Sequence, residues 1–392
     1  MTETMTAWVD EYTNAMMKSA PTPGALLTHG EGCYVWDVDG KKYLDFLAGI
    51  AVNSLGHAHP VLVEAVSAQV ASLVHISNLF ASPQQIGLAQ SLKRVTGAGE
   101  GGRVFFGNSG AEAIEAAIKL ARRNKQHGTI LALENSFHGR TTGSVSLTGK
   151  PALREDFEPL LPQVAHIGST IEALEAAMSH DIAALVVEPI KGEAGVIPLP
   201  EGYLQRAREL CTQFGALLII DEIQTGAGRT GTWFAYQQAG IVPDAVAIAK
   251  GIGGGVPIGA LVTFGAASDL FTKGQHGSTF GGNPLATGAA VAVIGEIERA
   301  GLIENAAVRG PQIRAAVEGL PLVESTRGAG LLIGIVLSKP AASEVAATAL
   351  QLGLIVNAAN DSTLRIAPPL IIGDNEITEF VSLLTQALEA HA

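Results

Sequence analysis

From about residue 60 the chain alternates short, unbroken apolar runs (103–106, 129–133, 183–187, 216–220, 244–249 and 259–264) with stretches of helical periodicity such as 110–123 and 202–214. Runs this short, without polar alternation, read as strands buried on both faces. Strands alternating with helices predict a mostly parallel sheet covered by helices. Ahead of them, residues 33–47 alternate apolar and polar positions around Asp39-Gly40, the pattern of a β-hairpin. Beyond Gly281-Gly282-Asn283-Pro284 the pattern changes again. An Ala-rich helical stretch runs to about Ala300, followed by helical periodicity near 303–318, 341–352 and 374–391, with strands near 330–337 and 363–367. The expected architecture is α/β: an N-terminal segment with the hairpin over 1–59, a large domain with a mostly parallel mixed sheet over 60–288, and a smaller α+β domain over 289–392 that the hairpin joins.

Composition narrows the function classes. With 392 residues, 47% of them hydrophobic, the chain fills its cores easily. A formal charge of −12 argues against nucleic acid or an anionic membrane as partner, because both select for basic surfaces. Acidic substrates must then be captured by a few placed arginines. Mean hydropathy is +0.29, yet no apolar stretch approaches the roughly 18 residues that span a bilayer. Cys33 and Cys211 stand far apart, in no metal-ligand spacing, which suits a reducing cytoplasm. The start, Met1-Thr-Glu-Thr-Met-Thr-Ala-Trp8, lacks the basic region and apolar stretch of a secretory signal.

The chemistry centres on Lys250, which closes the apolar run ending at Ala249 and opens Gly251-Ile252-Gly253-Gly254-Gly255. An isolated lysine after a strand is ordinarily a surface residue. An amine at a buried strand end with glycines beside it is also placed to form a Schiff base with an aldehyde. Asp221 closes the run Ala216–Ile220, 29 residues earlier. A carboxylate and an amine at neighbouring strand ends suit pyridoxal 5'-phosphate (PLP), whose ring nitrogen needs an anion to stay protonated. Residues 103–123 read strand, turn, helix, and Ser109 with Glu112 has capping-box spacing. The helix start at Ser109-Gly110-Ala111 offers free N–H groups and a positive dipole end to a phosphate. Thr279 is a second candidate phosphate ligand. Phe137 is a candidate for stacking on a ring, although a lone phenylalanine is more often core. Gln224 reads equally as a ring-hydroxyl partner or a plain polar loop residue.

Rival motifs are weaker. Gly226-Ala-Gly228-Arg-Thr-Gly231 matches a dinucleotide-binding fingerprint for a nicotinamide oxidoreductase, but Asp-Glu-Ile-Gln-Thr separates it from its strand and no helix opens on its last glycine. Gly107-Asn-Ser109-Gly-Ala111 falls one glycine short of the nucleophile elbow of a serine hydrolase. His57-Ala-His59 has no acidic or cysteine partner in ligand spacing and reads as a structural loop. Gly143 to Lys150 has one residue too many for a phosphate loop and is followed by Pro151.

Phe-Phe-Gly-Asn-Ser-Gly-Ala-Glu-Ala (105–113), Phe-His-Gly-Arg-Thr (137–141), Val-Glu-Pro-Ile-Lys-Gly-Glu-Ala-Gly-Val (187–196), Leu-Ile-Ile-Asp-Glu-Ile-Gln-Thr-Gly-Ala-Gly-Arg-Thr-Gly (218–231), Ala-Lys-Gly-Ile-Gly-Gly-Gly (249–255) and Gly-Ser-Thr-Phe-Gly-Gly-Asn-Pro (277–284) together resemble the class-III, fold-type-I PLP aminotransferases. The resemblance implies Lys250 as the lysine that carries the cofactor, Asp221 on its ring nitrogen, Phe137 on its ring and Gly110-Ala111 at its phosphate. It implies a homodimer in which Ser278 and Thr279 enter the partner's site, and substrate carboxylates held by Arg140 and Arg365, with Glu193 neutralising Arg365 when no carboxylate is there. Gly49-Ile-Ala-Val-Asn53 before Gly56-His-Ala-His-Pro60, and Arg365-Ile-Ala-Pro-Pro-Leu370, draw the resemblance towards members that move the δ-amino group of N2-acetyl-L-ornithine to 2-oxoglutarate. Ornithine, succinylornithine, N-succinyl-diaminopimelate precursors and 4-aminobutyrate are donors of relatives with nearly the same cofactor residues. Lys191 stands where many relatives carry Gln or Met.

Overall fold

The computed structural model describes residues 3–392, with side chains from residue 8 onward; Met1 and Thr2 of the expected leaderless start lie outside the described residues. A helix, Glu3–Ala15, occupies the remainder of that start.

The six apolar runs and one further strand form a seven-stranded sheet in the order Arg103–Gly107, Gly259–Thr263, Ala245–Ala249, Leu217–Asp221, Ile182–Val187, Thr129–Leu133 and Val164–Ile167. Pairing is parallel except at Gly259–Thr263, which runs antiparallel to both neighbours. Alternate residues of the central strands enter different cores. Leu218, Ile220, Val246 and Ile248 pack on one face with the helix Tyr203–Phe214. Leu217, Ile219, Ala245 and Ala247 pack on the other with Ile114, Ala117, Ile118 and Ala121 of the helix Gly110–Asn124. Burial on both faces explains why the runs lack polar alternation. The seventh strand escapes the sequence pattern because it is a half-buried edge strand interrupted by His166.

The expected hairpin is present: Tyr34–Asp37 pairs antiparallel with Lys42–Asp45, Tyr34 opposite Leu44. Its sheet also takes Leu27–Glu31 on one side and, in parallel, Leu354–Ile355 from the far end of the chain. A further sheet is ordered Val323–Ala329, Leu332–Leu337, Thr363–Ile366, Asn357–Asn360. Its two outer strands were not foreseen, since their residues are mostly polar or small and only partly buried. Helices Leu302–Val317, Ala342–Leu352 and Asp374–Glu389 cover this region, where Phe46 of the N-terminal segment stacks on Phe380 at 4.2 Å between ring centroids. The helix Pro284–Arg299 serves both bodies: Ala286, Ala290 and Ile294 enter the core of the large sheet, and Val293 and Ile297 enter the core built from the chain's two ends.

Candidate active site

The parallel strands Leu217–Asp221 and Ala245–Ala249 end at the same edge of the sheet, with Asp221 in register with Ala247. Asp221 and Lys250 therefore meet at adjacent strand ends, where open α/β sheets place their ligands. Lys250 leaves its strand in the left-handed region at φ 47°, rare for a side-chain-bearing residue, which turns the chain sharply into a single turn of 3-10 helix, Lys250–Ile252. Both residues line a cavity of about 340 Å³, together with Asn108, Ser109, Gly110, Ala111, Phe137, His138, Glu188 and Gln224.

One end of the cavity is built by a helix start. Ser109 Oγ accepts from the N–H of Glu112 at 3.2 Å, as the capping-box spacing predicts. Glu112, however, reaches one residue further back than a capping box: its Oε2 accepts from the backbone N–H and side-chain amide of Asn108, both at 2.8 Å. This ties the turn down while the first-turn N–H groups of Gly110 and Ala111, which a helix leaves unbonded, remain at the cavity. Small residues make the approach possible. A Cβ on Gly259 would stand 2.1 Å from the carbonyl oxygen of Ser109, and one on Gly110 would stand 2.7 Å from the side chain of Ile223.

At the other end, Asp221 is buried; its Oδ1 accepts from the N–H of Ile223 at 3.0 Å and its Oδ2 pairs with Nδ1 of His138 at 2.7 Å. Burial presses the His138 imidazole towards neutrality, but the bond and charge of Asp221 outweigh it and hold the proton above the ordinary histidine range. Glu188 accepts from the N–H of Phe137 at 2.8 Å, and burial pushes its carboxyl up to about 7. Burial pulls the Lys250 amine below its ordinary value, against the opposing charge of Glu193, which favours the nucleophilic neutral form. Sequence reasoning missed His138 and Glu188 as site residues. The available signal was their place inside Phe-His-Gly-Arg and Val-Glu-Pro, directly beside residues that it did single out.

The substrate candidates fall into two groups. Glu193 and Arg365, 172 positions apart, form an ion pair, and Gln224 joins it: its Oε1 accepts from Arg365 Nη1 at 3.3 Å and its Nε2 donates to Glu193 Oε1 at 3.4 Å. Burial alone would raise the Glu193 carboxyl, but the charge and hydrogen bond of Arg365 hold it below the usual carboxylate range. Arg140 is exposed, its guanidinium carbon 5.7 Å from the centre of the Phe137 ring. Ser278 Oγ accepts from Asn108 Nδ2 at 3.1 Å, at the margin of the cavity, whereas Thr279 is exposed and is not among the lining residues of its own chain's cavity. Lys191 is buried and points its amine to Ser169 Oγ at 2.8 Å and the carbonyl of Glu134 at 3.2 Å.

The rival motifs find structural uses. Gly226 to Gly231 forms turns, no helix opens on Gly231, and the buried Arg229 within the segment donates to the carbonyls of Leu331, at 3.3 Å, and Pro368. His57 pairs with Asp45 at 2.8 Å. Among the described residues no helix is long and apolar enough to cross a membrane.

The class-III aminotransferase family model matches residues 15–388. An acetylornithine aminotransferase of Mycobacterium leprae is 48% identical over 99% of this chain and 97% of its own length. Among solved structures, the ornithine aminotransferase of Toxoplasma gondii superposes with a TM-score of 0.93 at 30% identity, covering 100% of this chain and 96% of that one. An acetylornithine aminotransferase from Elizabethkingia anophelis gives 0.86 at 32% identity, covering 98% of each chain. The chain belongs to the class-III aminotransferases, enzymes that use pyridoxal 5'-phosphate. The cavity fits that cofactor: a glycine-lined helix start for the phosphate, an aromatic wall, a buried anion and an amine stand around one space.

Proposed function

We propose that the enzyme transfers the δ-amino group of N2-acetyl-L-ornithine to 2-oxoglutarate, giving N-acetyl-L-glutamate 5-semialdehyde and L-glutamate in two half-reactions, a step of arginine biosynthesis. The observation that carries this reading is the Arg365–Glu193 ion pair, joined by Gln224 of the cavity wall. A donor whose reacting amine is remote from its carboxylate must not be drawn by an α-carboxylate site, and a glutamate on that arginine closes the site to it. An α-keto acid has a carboxylate beside its reacting carbon and competes for the same guanidinium.

In this reading Gly110, Ala111, Ser109 and the partner subunit's Thr279 would hold the cofactor phosphate, and Phe137, Gln224 and Asp221 would hold its ring. When bound, PLP withdraws electrons from the substrate carbon, so that a C–H proton becomes removable. Lys250 carries the cofactor between turnovers and moves that proton as general acid and base. Arg140 holds the α-carboxylate of the acetylated donor and the distal carboxylate of 2-oxoglutarate; Arg365 holds the α-carboxylate of the keto acid; Ser278 reaches the substrate from the partner. A homodimer accords with the exposed apolar side chains of Leu79, Phe80 and Phe280, which lie where Asn78 Nδ2 donates to the Ser278 carbonyl at 2.6 Å. A cytoplasmic site accords with two buried free thiols.

The deciding experiment compares kcat/KM for N2-acetylornithine, ornithine, succinylornithine, N-succinyl-diaminopimelate and 4-aminobutyrate with 2-oxoglutarate as acceptor. Acetylornithine is expected to lead by at least about tenfold; a higher value for any other donor reassigns the substrate.

A further inference from the structure

As sequence, Lys150 is merely the last residue of a rejected phosphate-loop pattern. In the fold it is pinned against the site. Gly149 sits so close to the end of the strand Thr129–Leu133 that a Cβ there would stand 2.0 Å from the Leu133 carbonyl oxygen. The Gly149 N–H donates to the carbonyl and the hydroxyl of Ser136, at 3.0 and 3.1 Å. From this anchor the half-buried Lys150 side chain runs to the turn that carries Glu193, and its Nζ donates to the main-chain oxygen of Glu193. Burial pulls the amine below its ordinary value; the charges of Glu193, Arg365, Glu188 and Arg140 all act on it. An ammonium has three N–H groups, and this single bond leaves two for another acceptor.

The Glu193 side chain is only 26% exposed, and that of Arg365 is 1% exposed. A substrate carboxylate that takes Arg365 strips Glu193 of its cation in a poorly solvated place, where an unpaired carboxylate is strongly disfavoured. The contact that would remain is the neutral amide of Gln224 at 3.4 Å. Lys250 is committed to the cofactor in the function proposed above. Lys150 already grips the same residue by its main chain, and its flexible stem lets the ammonium follow the carboxylate.

We infer that Lys150 receives the Glu193 carboxylate when an α-carboxylate occupies Arg365, which makes Lys150 a positioning residue for the keto-acid half-reaction. The inference rests on the proposed exchange between Glu193 and substrate at Arg365.

The test is a double-mutant cycle read by calorimetric binding of glutarate, an unreactive dicarboxylate, to the PLP-loaded enzyme. Lys150→Gln keeps a donor for the main-chain oxygen and removes the charge; glutarate is expected to bind about tenfold more weakly. Lys150→Arg should restore binding to within about threefold. Glu193→Gln should tighten binding, and in that background Lys150→Gln should have no further effect, since no charge remains to be received. Undiminished binding in Lys150→Gln, with Glu193→Gln tightening as expected, overturns the role of Lys150 alone. An equal loss from Lys150→Gln in both backgrounds also overturns it, because Lys150 then holds the ligand directly. Unchanged binding in Glu193→Gln overturns the exchange at Arg365 and this inference with it.

Discussion

Nδ1 of His138 stands 2.7 Å from Oδ2 of Asp221, with both side chains closed to solvent. Against the pull of burial, the hydrogen bond and charge of Asp221 raise the proton affinity of the imidazole, so His138 stands as a hydrogen-bond partner that favours negative charge on the carboxylate. Asp221→Asn is expected to retain cofactor binding and lose roughly 100- to 1,000-fold in kcat, the scale of removing one placed electrostatic group. His138→Ala should lose less than Asp221→Asn, because it weakens the anion without deleting it. Steady-state rates at saturating PLP check both; near-normal activity in Asp221→Asn would remove that residue from the ring.

Lys250→Ala should yield protein without the visible absorbance band that borohydride abolishes, and without turnover. The chemistry requires an amine at this strand end. A spectrum before and after borohydride decides the point, and an unchanged reducible band would move the cofactor to another lysine.

The two arginines should separate in single-turnover experiments. Arg140→Ala is expected to slow both half-reactions, and Arg365→Ala chiefly the 2-oxoglutarate half, each by roughly 10- to 100-fold for a lost bidentate carboxylate contact. Glu193→Ala should shift donor preference from acetylornithine towards glutamate, because Arg365 then attracts α-carboxylates throughout the cycle. Equal losses in both halves for Arg365→Ala, with an unmoved preference in Glu193→Ala, would contradict the exchange.

The proposed sharing of sites between two subunits makes a distinct forecast for mixed dimers. A dimer of one Lys250→Ala chain and one Thr279→Ala chain contains one site with every residue intact, so at limiting PLP it should exceed either parent homodimer. Coexpression with two affinity tags isolates it, and an activity no better than the parents' mean would place Thr279 in its own subunit's site or away from the phosphate.

Stability should fall as pH rises across neutrality. Burial pushes Glu188 and Glu222 from an unfolded value of 4.5 up to about 7, and His138 is raised as well. Between about pH 4.5 and 7 these three groups hold more protons folded than unfolded and outnumber His166 and His276, which burial lowers, so each unit of rise there costs stability. Thermal unfolding of the cofactor-free protein should show a higher Tm near pH 5.5 than near pH 8, provided that measurements stay above the range where exposed carboxylates protonate. A Tm that rises over this window would mean that these carboxyls are ionised in the fold at little cost.

Much of this was legible in the chain. Lys250 and Asp221 each end an apolar run, so strand logic alone carried them to one edge of a sheet. Ser109 announced itself by cap spacing. The pairing of Glu193 with Arg365 was legible only through resemblance, because no local pattern links residues 172 positions apart. His138 and Lys150 were silent for a different reason: their places follow from where loops beyond the strands fold back, through contacts such as Gly149 against Leu133, and loop return paths leave no periodic mark. The strands Val323–Ala329 and Asn357–Asn360 were hidden by composition, since partly exposed strands of polar and small residues resemble loops.

The helix Pro284–Arg299 has a mechanical consequence. Because Ala290 and Ile294 belong to one core while Val293 and Ile297 belong to the other, neither body can melt and leave the helix intact for its neighbour. Denaturant should therefore act on the chain as one cooperative unit, without a half-molten species that exposes the cavity.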